Sequence, residues 1–234
     1  MSQFLSFTVL GIVTAAIYAV AASGLVVTYT TSGIFNFAQG AFGMAAAFLY
    51  WQLRVEWGWP APIALAIVLV FVAPAFGALI ERLIFRGIEG TTEVVKIVVS
   101  VSLLFFVFQL IPIIYPAAGR RLAGFFDPEK VDLGPINVTW HDLITVIAAI
   151  LVAVALRAFL YRTRTGVAMR AVVDDRGLSQ LNGGRPGRAS MLAWAIGTSL
   201  AALAGILLAG SQGNLAYIPL TLLVINAYAA AMIG

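Results

Sequence analysis

Hydrophobic positions along the chain form long runs that short polar segments separate. The runs cover about residues 4–29, 34–53, 61–85, 94–116, 143–161, 189–210 and 219–234. Runs of roughly 20 apolar residues are long enough to cross a bilayer as α-helices, and the alternating ten-residue pattern of a barrel strand does not occur. The pattern predicts one transmembrane domain over 1–234, an all-α membrane protein built as a polytopic transmembrane helical bundle. It has about six complete spans, and the end of the chain truncates the seventh.

The first two runs are separated by only four residues, Thr30 to Gly33, and no charged side chain occurs before Arg54. A break this short forces either a hairpin or a broken helix. The direction in which the second run crosses the membrane therefore depends on the geometry of this break.

Small side chains recur at every fourth position in two of the runs. One set is Gly11, Ala15, Ala19 and Ser23, and the other is Ala189, Ala193, Gly197, Ala201, Gly205, Ala209 and Gly213. Small residues at this spacing let helix backbones approach closely, which matters in lipid because hydrophobicity alone does not favour helix contacts over lipid contacts. Both helices are therefore expected inside the bundle, although an alanine-rich composition is an alternative explanation.

The composition agrees with a membrane location. Hydrophobic residues make up 62% and charged residues 10% of the chain, and the mean hydropathy is +1.00. A soluble domain carries about a quarter charged residues. The chain has no cysteine, which excludes disulfides, thiolate catalysis and cysteine-ligated metals. Its basic excess lies in one loop between runs, which indicates membrane orientation rather than nucleic-acid binding.

That basic loop, residues 162–188, carries six arginines and two aspartates, a net charge of +4 that equals the formal charge of the whole chain. The other large loop, 117–141, balances its basic and acidic residues. Short loops rich in lysine and arginine remain on the cytoplasmic side of a membrane. We therefore expect 162–188, here called the arginine loop, in the cytoplasm together with 86–92. Alternation then predicts that 117–141, the tryptophan turn 57–60 and the N-terminus lie outside.

Ionisable residues are absent from the middle of every run. Glu81, Arg82 and Arg86 lie where the third run ends, so their stems are expected to reach the membrane interface. The single histidine, His141, falls in the predicted external loop, and we interpret it as a solvated surface residue. Ion-driven carriers and membrane enzymes usually retain charges at bilayer depth. Uphill transport by this chain would therefore take its energy from a partner.

The densest cluster of polar residues and glycines within membrane reach lies between Thr30 and Met44, and a second interruption spans Gly210 to Asn214. Broken helices in carriers expose half-helix N-termini that suit an anionic group such as an amino-acid carboxylate, and paired interruptions indicate a midplane site. The candidate substrate-pathway residues are Ser32, Gly33, Asn36, Gln39, Gly40, Gln212 and Asn214. Two interfacial turns with ordinary packing glycines are the alternative.

Within the arginine loop, Gly166 to Leu181 is typical of one short amphipathic helix that Gly183 and Gly184 end. The apolar residues that share one side of it are Val167, Ala171, Leu178 and Leu181. Anionic lipid headgroups would repel the neighbouring Asp174 and Asp175, so this side is expected to dock into a protein groove. A solvated charged loop is the alternative.

These motifs resemble the membrane permeases of branched-chain amino acid ABC importers. Ala16–Leu25 through Tyr29, with Ser32–Met44, looks like the family's opening pair of segments, and Arg164–Asp175 is similar to its cytoplasmic ATPase-contacting segment. The order and spacing of the spans agree over essentially the whole chain. The chain departs from the family where Gln39 replaces a common histidine, where 179–184 is unusually polar, and where it stops in mid-span.

The resemblance implies a transport subunit of the bacterial inner membrane, with no enzymatic activity and no cofactor of its own. Its implied partners are cytoplasmic ATP-binding subunits that hold ATP and Mg, an extracytoplasmic substrate-binding protein, a second homologous permease subunit and membrane lipid. The implied ATPase-coupling residues, on a cytoplasmic coupling helix, are Gly166, Arg170, Asp174, Asp175 and Leu178.

The predicted function is therefore import of branched-chain or related amino acids, driven by partner ATPases. A channel-like facilitator or an importer for urea or short amides is one alternative, because the uncharged Asn36 and Gln39 would also serve such solutes. A membrane scaffold that transports nothing is another. A requirement for nucleotide separates the importer from the facilitator.

Overall fold

The computed structural model describes residues 2–116, 120–125, 130–132, 137–181 and 183–233. Its helices are α1 (Ser2–Ser32), α2 (Gln39–Trp51), α3 (Ala61–Ala66), α4 (Ala73–Ile80), α5 (Glu93–Ile114), α6 (Trp140–Arg162), α7 (Arg164–Asp174), α8 (Arg176–Leu181), α9 (Pro186–Gln212) and α10 (Tyr217–Ile233). Two antiparallel strand pairs join β1 (Arg120–Arg121) to β4 (Asn214–Leu215), and β2 (Lys130–Asp132) to β3 (Asn137–Thr139). Asp127 and Glu129, which enter the predicted charge balance of loop 117–141, lie outside the described residues.

Among the described residues, five helical segments are long and apolar enough to cross a membrane, and α10 is a shorter apolar helix. The five are Phe4–Ser32, Ala61–Ile88, Glu93–Ile114, Trp140–Arg162 and Pro186–Gln212. The protein is an all-α, multi-pass membrane protein, as predicted. The second predicted run differs from the structure, because α2 begins only at Gln39 and residues 33–38 are not helical. The total number of spans stays a prediction.

Helix α9 forms the centre of the bundle, where it packs against α1, α2 and α4. Its most apolar stretch is 67% buried, whereas that of the peripheral α6 is 6% buried. The predicted small-residue face of α9 is confirmed, since Ala189, Ala193, Gly197, Ala201, Gly205 and Ala209 are all buried. Because small side chains remove the steric limit on helix approach, three other helices can contact its backbone directly.

Helix α1 packs against α9 as expected, but its small-residue face is not the face that packs. Gly11, Ala15 and Ala19 lie on the exposed side of the helix, and α1 instead buries a bulkier face that includes Val13 and Ile17. The four-residue spacing alone does not distinguish a packing face from an outward face, because both occur in an alanine-rich helix.

A tight crossing joins α2 to α9 through two glycines. A Cβ atom placed on Gly205 would lie 2.2 Å from the carbonyl oxygen of Gly43. This separation is well inside van der Waals contact, so neither helix can carry a side chain here without moving apart. The crossing holds α2 against the centre of the bundle.

Loop contacts group the helix ends into two sets. At one end, Arg120 pairs with Leu215 through β1 and β4, and the indole N–H of Trp51 donates to the carbonyl of Arg121. At the other end, Arg86 donates to the carbonyl of Gly187, near the end of the arginine loop. We call these the strand-pair end and the arginine-loop end. That the arginine-loop end faces the cytoplasm stays a prediction of the charge rule.

His141 is buried in the first turn of α6, so its interpretation as a solvated surface residue is wrong. Its Nδ1 accepts a hydrogen bond from the N–H of Phe125, which leaves the proton of the neutral ring on Nε2, 2.9 Å from the carbonyl oxygen of Leu207. The ring of Phe125 stacks on the imidazole. The histidine therefore fastens residues 120–125 to α9, through partners that lie far away in the sequence.

Glu81 is also buried, contrary to the expectation that its stem reaches the interface. Its carboxylate forms an ion pair with Arg86, with a nitrogen–oxygen distance of 2.8 Å, and Arg86 also donates to Gly187. A buried carboxylate is stable only with a partner of this kind. The pair joins the third span to the first turn of α9.

We predict that Gly205→Ala lowers the thermal stability of the purified protein, because the new methyl group must displace the backbone of Gly43. Overpacking of this kind costs about 1–3 kcal/mol. Gly11→Ala is the matched control, since a Cβ on Gly11 meets nothing within 4 Å. Thermal unfolding in lipid nanodiscs should show a lower Tm for Gly205→Ala only, and equal Tm values for the two variants would contradict the assigned crossing.

Candidate functional site

The non-helical segment 33–38 separates α1 from α2 inside the bundle. Helix α1 ends where Gly33 adopts a left-handed conformation with φ of 67° and donates to the carbonyl of Tyr29. The hydroxyl of Ser32 donates back to the carbonyl of Thr28 and is buried. Glycine suits this position because the left-handed region costs it no steric energy. These contacts stop α1 and turn the chain toward α2.

The break lies deep in the bundle. The side-chain Nε2 of Gln39 donates to the carbonyl of Gly197, which is eleven residues beyond Pro186 at the start of α9. Eleven helical residues correspond to about 16 Å. Non-helical backbone is tolerated at membrane depth only where protein surrounds it. The hydroxyl of Ser100 on α5 meets this need in part, by accepting a hydrogen bond from the N–H of Phe37 at 2.7 Å.

The side chains of Asn36 and Gln39 form a short amide chain that ends at Gly197. Because the carbonyl of Gly197 accepts only from an N–H, Nε2 of Gln39 must face it, and Oε1 of Gln39 faces Asn36. Nδ2 of Asn36 donates to that Oε1 at 2.9 Å. The remaining oxygen, Oδ1 of Asn36, is buried with no hydrogen-bond partner among the described residues. The amide chain thus presents one acceptor that the fold leaves unsatisfied.

Tyr228 of α10 adds a second polar group to this region. Its ring lies 6.2 Å from that of Phe35 and 5.2 Å from that of Phe37, the two neighbours of Asn36 in the chain. Its hydroxyl is buried and has no partner among the described residues. Sequence reasoning missed Tyr228, although a tyrosine within the last apolar run was a usable signal.

An unsatisfied buried polar group costs about 1–3 kcal/mol. Oδ1 of Asn36 can accept from an ammonium or amide N–H, and the hydroxyl of Tyr228 can donate to a carboxylate or carbonyl oxygen. These two groups are therefore the candidate contacts for a polar solute at the break.

Gly40 has a packing role next to these amides. A Cβ on Gly40 would clash with the carbonyl oxygen of Thr221, which lies 2.0 Å from that position. The glycine lets α10 lie directly against the first turn of α2. It brings Tyr228 toward the break and offers no functional group itself.

The structure does not bring the second interruption to this site. Gln212 is the last residue of α9, and Asn214 pairs with Arg121 at the strand-pair end, where both side chains are exposed. Fifteen helical residues separate Gly197 from Gln212, about 22 Å along α9. The expectation that Gln212 and Asn214 share one midplane site with Asn36 and Gln39 is wrong.

The arginine loop contains two helices where the sequence predicted one. Helix α7 ends at Asp174, and Asp175 takes an extended conformation before α8 begins. The carboxylate of Asp175 accepts from the N–H of Leu178 at 2.8 Å, which is the geometry of an N-cap. The hydrogen bond by which Asp175 caps α8 is therefore more stabilising here than a continuation of α7 through Asp175.

The predicted apolar face of this loop is not the face that packs. Met169 and Val172 are buried against Val27 of α1 and Ala189 and Ala193 of α9. The residues of the predicted face, Val167, Ala171, Leu178 and Leu181, are exposed on the other side. Helix α7 is thus attached to the bundle centre, and the predicted apolar face is on its exposed outer side.

The five candidate coupling residues have different environments. Gly166 is buried against α6, where a Cβ would lie 2.1 Å from the carbonyl oxygen of Phe159. Arg170 donates to the carbonyl of Leu160, and its guanidinium lies 4.1 Å above the ring of Tyr161. Asp174, Asp175 and Leu178 are exposed. The structure therefore divides the set into two residues that fix α7 to α6 and three that face outward.

Comparison with known proteins identifies the family. The model of the family described as the permease component of branched-chain amino acid transport systems matches residues 7–234. The chain is similar to the high-affinity branched-chain amino acid transport permease LivH of Escherichia coli (strain K12), with 24% identity over 96% of this chain and 73% of the relative.

It is also similar to the permease BraD of Pseudomonas aeruginosa, with 25% identity over 99% of this chain and 79% of the relative. No solved structure matches. A match across almost the whole sequence, joined to a multi-pass helical fold, shows that this chain is a transport subunit and not an enzyme, and that it belongs to the permease family of branched-chain amino acid transport systems.

Proposed function

We propose that this chain is the transmembrane permease subunit of an ABC importer for branched-chain or related amino acids. It works in the bacterial inner membrane with partner ATPases that bind ATP and Mg. The observation that carries the proposal lies beside the break at 33–38, where Oδ1 of Asn36 and the hydroxyl of Tyr228 on α10 are buried without a hydrogen-bond partner among the described residues. Their complementary hydrogen-bonding roles fit the ammonium and carboxylate of an amino acid.

The attachment of α7 supports a route by which ATP hydrolysis could reach this site. Met169 and Val172 pack against Ala193 of α9, and Ala193 lies one helical turn before Gly197. Gly197 in turn accepts the hydrogen bond from Gln39. A shift of α7 would therefore move the backbone to which the amide chain is bound. We assign the exposed residues Asp174, Asp175 and Leu178 to ATPase contact, and Gly166 and Arg170 to holding α7 on α6.

The strand-pair end supports delivery of substrate from the opposite side. A cavity of about 870 Å³ opens there, lined in part by Tyr50, Arg54 and Leu122. We assign this end to docking of the substrate-binding protein. A second homologous permease subunit completes the proposed transporter, with membrane lipid around it.

The decisive experiment measures uptake of radiolabelled leucine into proteoliposomes that contain the complete transporter. Uptake should require ATP, the ATPase subunits and the binding protein, because the charged residues of the described spans, such as Arg157 and the Glu81–Arg86 pair, lie toward the span ends rather than at the middle of the membrane. Equal uptake by the permease alone, without nucleotide, would identify a facilitator and overturn the importer proposal.

The coupling assignment predicts that reversing the acidic charge of the arginine loop detaches the ATPase. Asp175 also caps α8, so the variant should keep that cap: Asp174→Lys combined with Asp175→Asn changes the charge while asparagine still caps well. We expect at least a tenfold loss of ATPase co-purification. Glu56→Lys, an exposed charge reversal near the strand-pair end, is the control. Unchanged co-purification of the loop variant would refute the assigned contact.

The substrate assignment predicts that Asn36→Leu reduces leucine uptake at least tenfold while Tm changes little. The substitution removes the unsatisfied Oδ1 of Asn36 but leaves Oε1 of Gln39 without its donor, so one unsatisfied buried acceptor replaces another. Ser100→Ala is the matched control, because it removes a hydrogen bond from the same break without touching the amide chain.

Ser100→Ala should lower Tm and retain more uptake than Asn36→Leu. Uptake at the wild-type rate by Asn36→Leu, in a sample with normal ATPase content, would remove Asn36 from the substrate pathway. Measurements of Tm and of uptake on the same preparations separate the two effects.

A further inference from the structure

A cavity of about 130 Å³ lies between α2 and the third span, close to the middle of the bundle. The side chains around it include Phe42 and Ala45 of α2, Val68, Val72 and Phe76 of the third span, and Thr198 of α9. Almost all of its lining is apolar. The hydroxyl of Thr198 lies 2.8 Å from the carbonyl oxygens of Ala73 and of Trp194, so its single proton is used within the protein. The cavity therefore suits an apolar group.

The wall that the third span contributes is irregular. Ile67–Val72 is π-helical, and α4 begins directly after it with Pro74 near its first turn. A π-helical turn inserts an extra residue into a helix and is frequent at functional sites. Here Val68 and Val72, both from this turn, line the cavity. The π-helical turn of the third span thus forms part of the cavity wall.

The cavity adjoins the amide chain at the break. Phe42 lies three residues after Gln39, about 4.5 Å further along the same side of α2. On α9, Thr198 directly follows Gly197, the residue that accepts from Gln39. The rings of Phe42 and Phe76, which both line the cavity, meet edge to face at 5.2 Å. The amide of Gln39 and the apolar cavity at Phe42 therefore lie about one helical turn apart along α2.

We propose that this cavity receives the branched aliphatic side chain of the substrate while the groups at the break bind its ammonium and carboxylate. The inference rests on the proposed function. The volume supports the assignment, because a heavy atom such as that of water occupies about 30 Å³ in a condensed phase, so 130 Å³ holds about four heavy atoms. Leucine and isoleucine side chains have four carbons and valine has three, so each of them fits this volume.

The cavity has one open side, where Val72 is 40% exposed. A lipid acyl chain could enter from that side and is the competing occupant. The two occupants respond differently to a change of cavity volume. A substrate subsite changes selectivity between amino acids, whereas a lipid contact changes stability or overall rate equally for all of them.

The test compares initial uptake rates of leucine and valine by the complete transporter in proteoliposomes. Ala45→Val adds two methyl groups to the cavity, and Val72→Ala removes two. One methylene in an apolar pocket changes discrimination by about 10–200-fold. We expect Ala45→Val to lower the leucine-to-valine ratio about tenfold or more, and Val72→Ala to raise it severalfold.

Ala149→Val is the matched control, because Ala149 is a half-buried alanine on α6 that does not line the cavity. The same binding protein is present in every sample, so a change in the ratio belongs to the permease. Since the two test variants act in opposite directions, the loss of one through misfolding leaves the other informative.

An unchanged ratio in both variants, or an equal fall in both rates, would overturn the subsite and favour a lipid contact. This outcome differs from failure of the proposed function, in which the wild-type transporter takes up neither amino acid. Opposite shifts of the ratio in the two variants would support the subsite.

Discussion

The close approach of three helices to the backbone of α9 is the interaction on which the rest of this structure depends. In lipid, backbone that is not helical must find its hydrogen bonds within protein, because the hydrocarbon offers none. The small residues of α9 let α1, α2 and α4 surround it at short distance. A break between α1 and α2 at this depth is tolerated because Gly197 and Ser100 supply partners to it.

The same packing explains why the polar groups of the break are organised rather than loose. The carbonyl of Gly197 determines the orientation of the Gln39 amide, and Gln39 determines that of the Asn36 amide. Oδ1 of Asn36, the last atom of these linked amides, has no hydrogen-bond partner among the described residues. A residue that serves only to complete a fold is normally satisfied in full. The leftover oxygen and the hydroxyl of Tyr228, which both lack a partner among the described residues, are the basis of the proposed substrate site.

The arginine loop shows how one short segment combines attachment and recognition. Gly166 and Arg170 fasten α7 to α6, and Met169 and Val172 fasten it to α1 and α9. The outer side of α7 is exposed, together with Asp174 and Asp175. Movement of a partner on that side would therefore act on the centre of the bundle through packed side chains, without a flexible linker between them.

The sequence by itself determined the membrane location, the helical architecture and the family, because each depends on local composition or on contiguous motifs. The small-residue face of α9 was also predictable, whereas the matching pattern on α1 faces outward, because spacing does not say which side another helix covers. Only the tertiary structure decided that His141 is buried, that Gln212 lies far from Gln39, and that Asp175 divides the loop helix. The first two outcomes depend on partners that are distant in the chain. The third depends on whether Asp175 continues α7 or caps α8, and the spacing of apolar residues does not show which of these is more stable.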